Sequence, residues 1–407
     1  MSGKPYDAIV VGARCAGSPT ALLLARAGYR VLLVDRATFP SDTVSTHLIH
    51  PPGVAALQRW GLLERLDATG CPRIPTYAFD FGPFAISGSP RSTAGVAHAL
   101  CPRRTVLDKL LVDAAAEAGA EVREGFVAEE LLFGDGRVTG IRGRSRKNGT
   151  VTEQARVVIG ADGRNSFVAK SVQAGPYNER PALAGAYYTY FGGLPTNGYE
   201  VFIRPDRACA LNPTHDGLTM LVVGRPYADF QASRGDIEGS FMSSLELIGP
   251  IAERVRAAER QERFAGLAVS SFFRQPHGPG WALVGDAGYT KDPVTAFGIS
   301  DAFCDAERCV AALDEWFSGS RPFEEAMADY QQTRDEHAFP FYELTCDFAS
   351  FQPPPPETQR LLAATSANRE AMDAFVSMMA GTLAVPEFFA PAHVERILAA
   401  ASEPVGG

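Results

Sequence analysis

The sequence predicts an α/β fold: a doubly wound, Rossmann-like parallel sheet interleaved with an antiparallel sheet and followed by a helical C-terminal segment. Three observations predict it. Short continuous apolar runs at Ala8-Ile-Val-Val11, Arg156-Val-Val-Ile159 and Trp281-Ala-Leu-Val284 each end in a glycine turn, as do strands buried on both faces. Between the second and third runs, residues 184–224 read as strands rich in aromatic and β-branched residues. After Trp316 the apolar spacing becomes helical, with breaks expected at Pro340 and at Pro353-Pro-Pro-Pro356.

The first unit starts with the strand at 8–11 and the turn Gly12-Ala13-Arg14-Cys15-Ala16-Gly17. A helix over Thr20–Ala27, stopped at Gly28, leads to a second strand, Arg30–Val34, and then Asp35-Arg36. Glycines between strand and helix, with an acidic residue about 20 positions on, form the context of a dinucleotide fingerprint. Gly12 permits the tight turn and Gly17 lets helix and strand approach, while the helix N-terminus offers free N–H groups to a pyrophosphate. Arg14 stands where the middle glycine is usual and brings a positive charge instead. Cys15 and Ala16 are small enough to pack inside the turn.

The second turn is Gly160-Ala161-Asp162-Gly163 and the third Gly285-Asp286-Ala287-Gly288, followed by Asp292-Pro293 and a helix from Gly298-Ile299 to Leu313. Asp162 and Asp286 are acceptor-only carboxylates suited to ribityl or ribose hydroxyls. The start of the Gly298 helix offers its positive end to an anionic group. Three strand ends carrying such turns predict convergence on one extended ligand.

The rest of the composition bounds the function. The 407 residues allow two to four domains. Hydrophobic residues at 46% and charged residues at 21% exclude general disorder. A net charge of −9 argues against nucleic acid or an anionic membrane face as partner. The basic stretch Arg142-Gly-Arg144-Ser-Arg146-Lys147 precedes Asn148-Gly149, so it reads as the solvated face of a hairpin. No run approaches the ~18 apolar residues of a membrane span, and the start lacks a signal pattern. The seven cysteines are scattered without a CxxC pair, and the histidines lack ligand spacing, so neither a disulfide framework nor a metal site is expected. A cytoplasmic location is expected.

Gly12…Gly17, Gly160-Ala-Asp162-Gly163 and Gly285-Asp286-Ala287 match, in order and spacing, the three motifs of the p-hydroxybenzoate-hydroxylase-like FAD superfamily. The chain resembles this superfamily over roughly residues 5–345, on the side of its geranylgeranyl-reductase and halogenase branches. The resemblance implies FAD, with Gly12, Arg14, Cys15, Ala16 and Gly17 around its pyrophosphate. Asp35, Arg36 and Val127 would hold the adenosine end, Asp162, Gly163, Gly285 and Asp286 the middle, and Arg104 the flavin side. Pro293, Gly298 and Ile299 would lie beside the isoalloxazine.

It also implies a discontinuous FAD domain (1–80, 101–175, 270–345), a substrate domain (81–100, 176–269) and a C-terminal helical cap (346–407). The segment Ser41–Pro52 would pass near the isoalloxazine, which puts Thr46 beside the cofactor. His47 and Pro293 are the catalytic candidates, His47 because imidazole titrates near neutrality. His50, Tyr188 and Tyr190 are pocket candidates; the other strand face would present Tyr187, Thr189 and Phe191. His215, in a hairpin turn, is expected to be solvated. Phe339, Phe341, Tyr342, Phe348 and Phe351 either cap the site or pack the tail.

The implied activity is monooxygenation of a small aromatic or polyketide-like substrate through a C4a-hydroperoxide formed from O2. Electrons would come from NAD(P)H, directly or through a flavin reductase, since no second dinucleotide fingerprint is present. Saturation of a C=C bond is the alternative. Trp60, Trp281 and Trp316 are too far apart to form the WxWxIP stretch of halogenases, which ranks halogenation lower, together with flavin binding without turnover.

Overall fold

The computed structural model describes residues 4–145 and 149–402. Five parallel strands form the flavin-type sheet in the order Trp281–Leu283, Gly149–Gly160, Tyr6–Val11, Val31–Asp35, Glu121–Glu124. Ile9, Val10, Leu32, Leu33, Val158 and Ile159 are fully buried, which accounts for the unbroken apolar runs: both faces are covered. Helices Gly17–Arg26, Arg104–Glu117 and Gly298–Phe317 cover one face. On the other lies a meander in which Phe126–Gly134 pairs with Arg137–Ser145, and the latter with the first half of Gly149–Gly160. The expected hairpin is present, with Ser145 opposite Gly149. Arg142 pairs with Glu130 and Arg144 with Glu129, whereas Arg146, Lys147 and Asn148 of that basic stretch lie outside the described residues.

The second sheet runs Glu259–Arg260, Ala184–Gly192, Leu218–Pro226, Arg207–Pro213, Tyr199–Arg204, Tyr77–Asp80, Ala85–Gly88. It is antiparallel except where Tyr199–Phe202 pairs in parallel with Tyr77–Asp80, so the boundary expected at residue 81 falls inside the hairpin Tyr77–Gly88. Alternation gives it two distinct faces. Tyr187, Phe191, Leu221 and Val223 pack under helices Ile237–Ile248 and Pro250–Arg256. Tyr188, Tyr190, Tyr199, Met220, Tyr77 and Phe79 point the other way, toward the flavin-type domain and the C-terminal helices. Of the two aromatic sets left open by the sequence, the even-numbered one therefore faces the parallel-sheet domain and the C-terminal helices.

Helices Pro356–Thr365, Arg369–Met379, Val385–Phe388 and Pro391–Ser402 close over this face, with Leu361, Phe375 and Phe388 buried against the Phe79 and Tyr199 layer. The break at residues 353–356 is present, between helix ends at Ala349 and Pro356. The break at Pro340 is not: helix Phe323–Ala349 runs through it. Pro340 withholds one backbone N–H, and burial of Ala338, Phe341 and Tyr342 around it outweighs that loss. Phe341 and Tyr342 are thus core residues, while Phe339 stays exposed. Among the described residues no helix is long and apolar enough to cross a membrane.

Candidate active site

The first turn is a cradle with no room for a side chain at either of its glycines. Gly12 has φ +104°, and a Cβ on it would fall on the Ala161 carbonyl of the second turn; one on Gly17 would fall on the Gly12 carbonyl oxygen. Asp35 holds the turn by accepting from the N–H groups of Ala13 and Ala37, both at 2.7 Å. Arg36 is exposed, as is Val127 on the neighbouring strand. Arg14 does not swing free: its guanidinium meets Asp108 at 2.5 Å and Ser41 Oγ at 3.0 Å. Arg104 binds the same carboxylate through Nε (3.0 Å) and a terminal nitrogen (2.9 Å). Cys15 adds its thiol to Asp108 at 3.4 Å, and burial pushes that thiol far above its ordinary pKa, so it is a packing group. Asp108 is the buried centre of this cluster. The sequence reading missed it, although its spacing of four from Arg104 on one helix was a usable signal.

The second and third turns differ in what their carboxylates do. Asp162 braces the start of helix Phe167–Ser171, whose N-cap is Ser166, accepting from Ser166 Oγ at 2.5 Å and Phe167 N–H at 2.6 Å. Asp286, by contrast, is open to solvent. The protein around it, with Asp301 adding repulsion, pushes its pKa up to about 6. Pro293, half-buried, opens a short 3-10 turn to Thr295; beyond it Gly298 is exposed at the start of a 20-residue helix and Ile299 is buried. The N–H groups of that first turn have no intrahelical partner. Below them Lys291 is ion-paired with Asp301 and lies over the rings of Tyr289, Phe297 and Phe341 at 5.0–5.2 Å.

Residues 5–343 match the family described as FAD binding domain. The chain belongs to this FAD-binding family. It is 25% identical over 333 residues to 1H-pyrrole-2-carbonyl-[peptidyl-carrier protein] brominase of Pseudoalteromonas luteoviolacea, covering 78% of this chain and 79% of that one. It is 27% identical to 6-methylpretetramide 4-monooxygenase of Streptomyces rimosus, covering 83% and 82%. To digeranylgeranylglycerophospholipid reductase 1 of Methanopyrus kandleri it is also 27% identical, covering 73% and 77%. In fold it is similar to the flavin-dependent brominase Bmp2, with TM-score 0.83 and 18% identity over 97% of this chain and 98% of that one. It is an FAD-dependent oxidoreductase. The cradle of Gly12 and Gly17, the open carboxylate of Asp286 and the bare helix start at Gly298 fit that cofactor.

The loop after Asp35 brings two histidines onto the inner face of the antiparallel sheet, at different depths. His47 has φ +62°, a conformation rare outside glycine. Its Nδ1 lies 2.8 Å from the Ser45 carbonyl and must carry the proton; Nε2 then accepts from the Tyr190 hydroxyl at 3.0 Å. The ring stands edge-on to Tyr188 and Tyr190 at 5.8 and 5.9 Å. Burial, then Arg104, pushes its pKa down to about 3. The expectation that it titrates near neutrality is corrected: it is a neutral, oriented acceptor. Thr46 beside it is half-buried.

His50 was expected at the substrate pocket, but both its ring nitrogens are used inside the protein. Nε2–H donates to the Thr295 carbonyl (3.1 Å), Nδ1 accepts from the Tyr77 hydroxyl (3.0 Å), and the ring stacks on Phe297 at 4.3 Å. Burial pushes its pKa down to about 3. It ties the loop to the sheet and to the third turn.

His215 is likewise corrected from solvated to buried. Nδ1 accepts the Arg103 N–H at 3.2 Å and Nε2 meets Thr69 Oγ1 at 2.8 Å, which clamps the hairpin to the start of helix Arg104–Glu117. Arg103, unnoticed beside Arg104 in the sequence, lies over the Tyr190 ring at 4.0 Å.

Proposed function

We propose that this flavoprotein is a monooxygenase that hydroxylates a small aromatic or polyketide-like molecule, taking oxygen from O2. NAD(P)H supplies the electrons, directly or through a partner flavin reductase. The observation that carries this reading is the His47–Tyr190 pair on the inner, aromatic face of the sheet. The Streptomyces rimosus relative named as a monooxygenase supports it over four-fifths of the chain.

Bound FAD supplies the redox and oxygen-transfer chemistry; the chain positions and shields it. Gly12, Cys15, Ala16 and Gly17 cradle the pyrophosphate, with Arg14 and Arg104 set by Asp108. Asp35, Arg36 and Val127 serve the adenosine end. Gly163, Gly285 and Asp286 line the middle, where Asp286 accepts from hydroxyls and Asp162 keeps the second turn in shape through its bonds to Ser166 and the Phe167 N–H. Thr46, Pro293, Gly298 and Ile299 border the flavin ring, and the helix start at Gly298 favours negative charge there. His47 accepts the hydrogen bond of the Tyr190 O–H, so the Tyr190 oxygen keeps its lone pairs for a substrate hydroxyl. His47 is thereby a positioning residue. Tyr188 floors the pocket, and the C-terminal helices exclude water.

Two other readings have support of their own. The Methanopyrus kandleri relative favours saturation of a C=C bond. The brominase favours halogenation, although Trp60 and Trp281 are buried in the flavin-type domain and Trp316 packs on Phe317 and Phe323. One experiment separates them. The FAD-loaded protein is reduced and offered phenolic polyketide-like substrates with 18O2, with 18O2 and bromide, or under anaerobic conditions with an alkene. Labelled hydroxyl in the product is expected. Brominated product would replace this reading with halogenation, anaerobic alkene reduction with the reductase, and no turnover of any kind with a carrier.

A further inference from the structure

Arg14 stands where a dinucleotide-binding turn ordinarily has its middle glycine, and its side chain reaches in two directions. On one side the guanidinium meets Asp108 at 2.5 Å. On the other it donates to Ser41 Oγ at 3.0 Å and to the Ser41 and Asp42 carbonyls, both at 3.4 Å. These bonds join the first turn to the loop that carries His47. The stem of that loop is fixed separately, by the Phe39 N–H on Glu124 Oε2 at 2.9 Å. From Ser41 to Thr46 no residue lies in a helix or strand and none is buried. At the far end His47 is buried and accepts from Tyr190 at 3.0 Å. Arg14 thus anchors the start of the segment, and His47 its end.

Charge alone does not keep Arg14 in this place. Asp108 offers one carboxylate to two guanidinium groups, since Arg104 binds it at 2.9–3.0 Å. The two cations repel each other, and the cluster keeps a net positive charge. Arg104 is 8% exposed and Arg14 26%, so Arg14 is the one with room to move away. Ser41 and Asp42 lose their partner when it does. An anion at the first turn offsets the repulsion and adds charge-assisted bonds. A guanidinium has five donors in a fixed fork, enough to serve a carboxylate, the loop and an anion together.

We propose that Arg14 is a positioning residue that makes the order of the His47 loop depend on an occupied first turn. The proposal rests on the reading of that turn as a pyrophosphate site and goes beyond it, because the anion acts on the loop through Arg14 and without the flavin ring. The two equilibria are linked: what the anion adds to loop order, the ordered loop adds to anion affinity.

Amide hydrogen exchange of the full chain, read by mass spectrometry, tests it with saturating FAD or ADP. ADP has the pyrophosphate and the adenosine but no flavin. Exchange in residues 12–18 reports occupancy of the first turn, and exchange in residues 41–46 reports the loop. In the wild-type protein both ligands are expected to slow the loop at least tenfold. Arg14→Gly puts the usual glycine in the turn; with that turn occupied, its loop should exchange as fast as without ligand. Arg14→Lys, with charge but no fork, should keep part of the slowing. Ser41→Ala removes one acceptor outside the turn and should reduce the slowing, which keeps the test decisive if Arg14→Gly does not fold. With the turn occupied, slowing by FAD but not by ADP would mean that the flavin ring orders the loop. That outcome, equal slowing in Arg14→Gly, or no slowing in the wild-type protein would each overturn the proposal. A first turn that either ligand leaves unoccupied counts against the pyrophosphate reading instead.

Discussion

His47 and His50 stand three residues apart in one loop, both buried and both held neutral, yet they do opposite work. His50 has no capacity left: both ring nitrogens, its backbone N–H to Ser300 Oγ and its ring face are all engaged within the protein. His47 is held in a left-handed backbone conformation so that its one acceptor nitrogen reaches Tyr190 at the aromatic face. The same contrast recurs in the carboxylates, with Asp162 occupied by Ser166 and the first N–H of the helix after it and Asp286 open. Residue type says what a group is able to do. What its neighbours leave unused says what it does.

The comparison can be broken in four ways. The largest effect is expected from His50→Ala, which deletes a packed ring and strands the Tyr77 hydroxyl and Thr295 carbonyl. A loss of about 3 kcal/mol in denaturant unfolding is expected, against about 2 kcal/mol for His47→Ala, whose bond to Ser45 is only part-buried and whose alanine keeps its Cβ and so the left-handed strain. Equal losses would make both histidines structural.

Turnover reverses the order. His47→Ala should lower the rate of product formation roughly a hundredfold, or about 2.7 kcal/mol, with FAD still bound, whereas folded His50→Gln should retain most activity. The third effect is on pH. A histidine whose folded pKa is about 3 binds no proton in the fold where the unfolded chain, with pKa about 6.5, does. Its contribution to stability is complete above pH 6.5 and is lost as pH falls toward 3, at up to about 1.4 kcal/mol per pH unit for each histidine. Unfolding followed between pH 7 and 4 should therefore be one proton less steep in His50→Gln; an unchanged slope would mean that the ring is protonated in the fold.

The smallest effects separate the carboxylates. Asp162→Ala should cost about 1 kcal/mol of stability through the hydrogen bonds lost to Ser166 Oγ and the Phe167 N–H. Asp286→Ala should leave unfolding nearly unchanged and weaken FAD binding by roughly tenfold, the loss of one good hydrogen bond. Tight FAD binding in Asp286→Ala, measured by fluorescence titration, would contradict its assignment.

What could be read from the sequence follows from how local each feature is. The strands at 8–11, 156–159 and 281–284 and the Gly12–Gly17 turn were legible because burial on both faces and steric exclusion act over a few residues. The interleaving followed from their order. Alternation gave two aromatic faces in residues 186–191 but could not say which one met the flavin-type domain, since that depends on helices 50 residues further on. His215 looked solvated because a hairpin turn usually is; its partners, Thr69 and Arg103, lie more than 100 residues away. Pro340 was read as a helix break by a rule that omits tertiary packing. Arg103 is masked in the sequence by Arg104 at the motif position, because its cation–π contact with Tyr190 arises only when sheet and helix meet.

The C-terminal helices have a consequence for the protein's birth. Tyr77, Phe79 and Tyr199 emerge from the ribosome long before Leu361, Phe375 and Phe388, against which they pack. A chain synthesised only as far as residue 350 would carry its flavin-binding turns complete and a broad aromatic sheet face uncovered. Such an intermediate is sticky, and synthesis speed and chaperone supply are the quantities that decide the yield of intact enzyme. Slowing translation near residue 350 should raise the aggregated fraction, and early FAD, which touches only the finished part, should do little to prevent it.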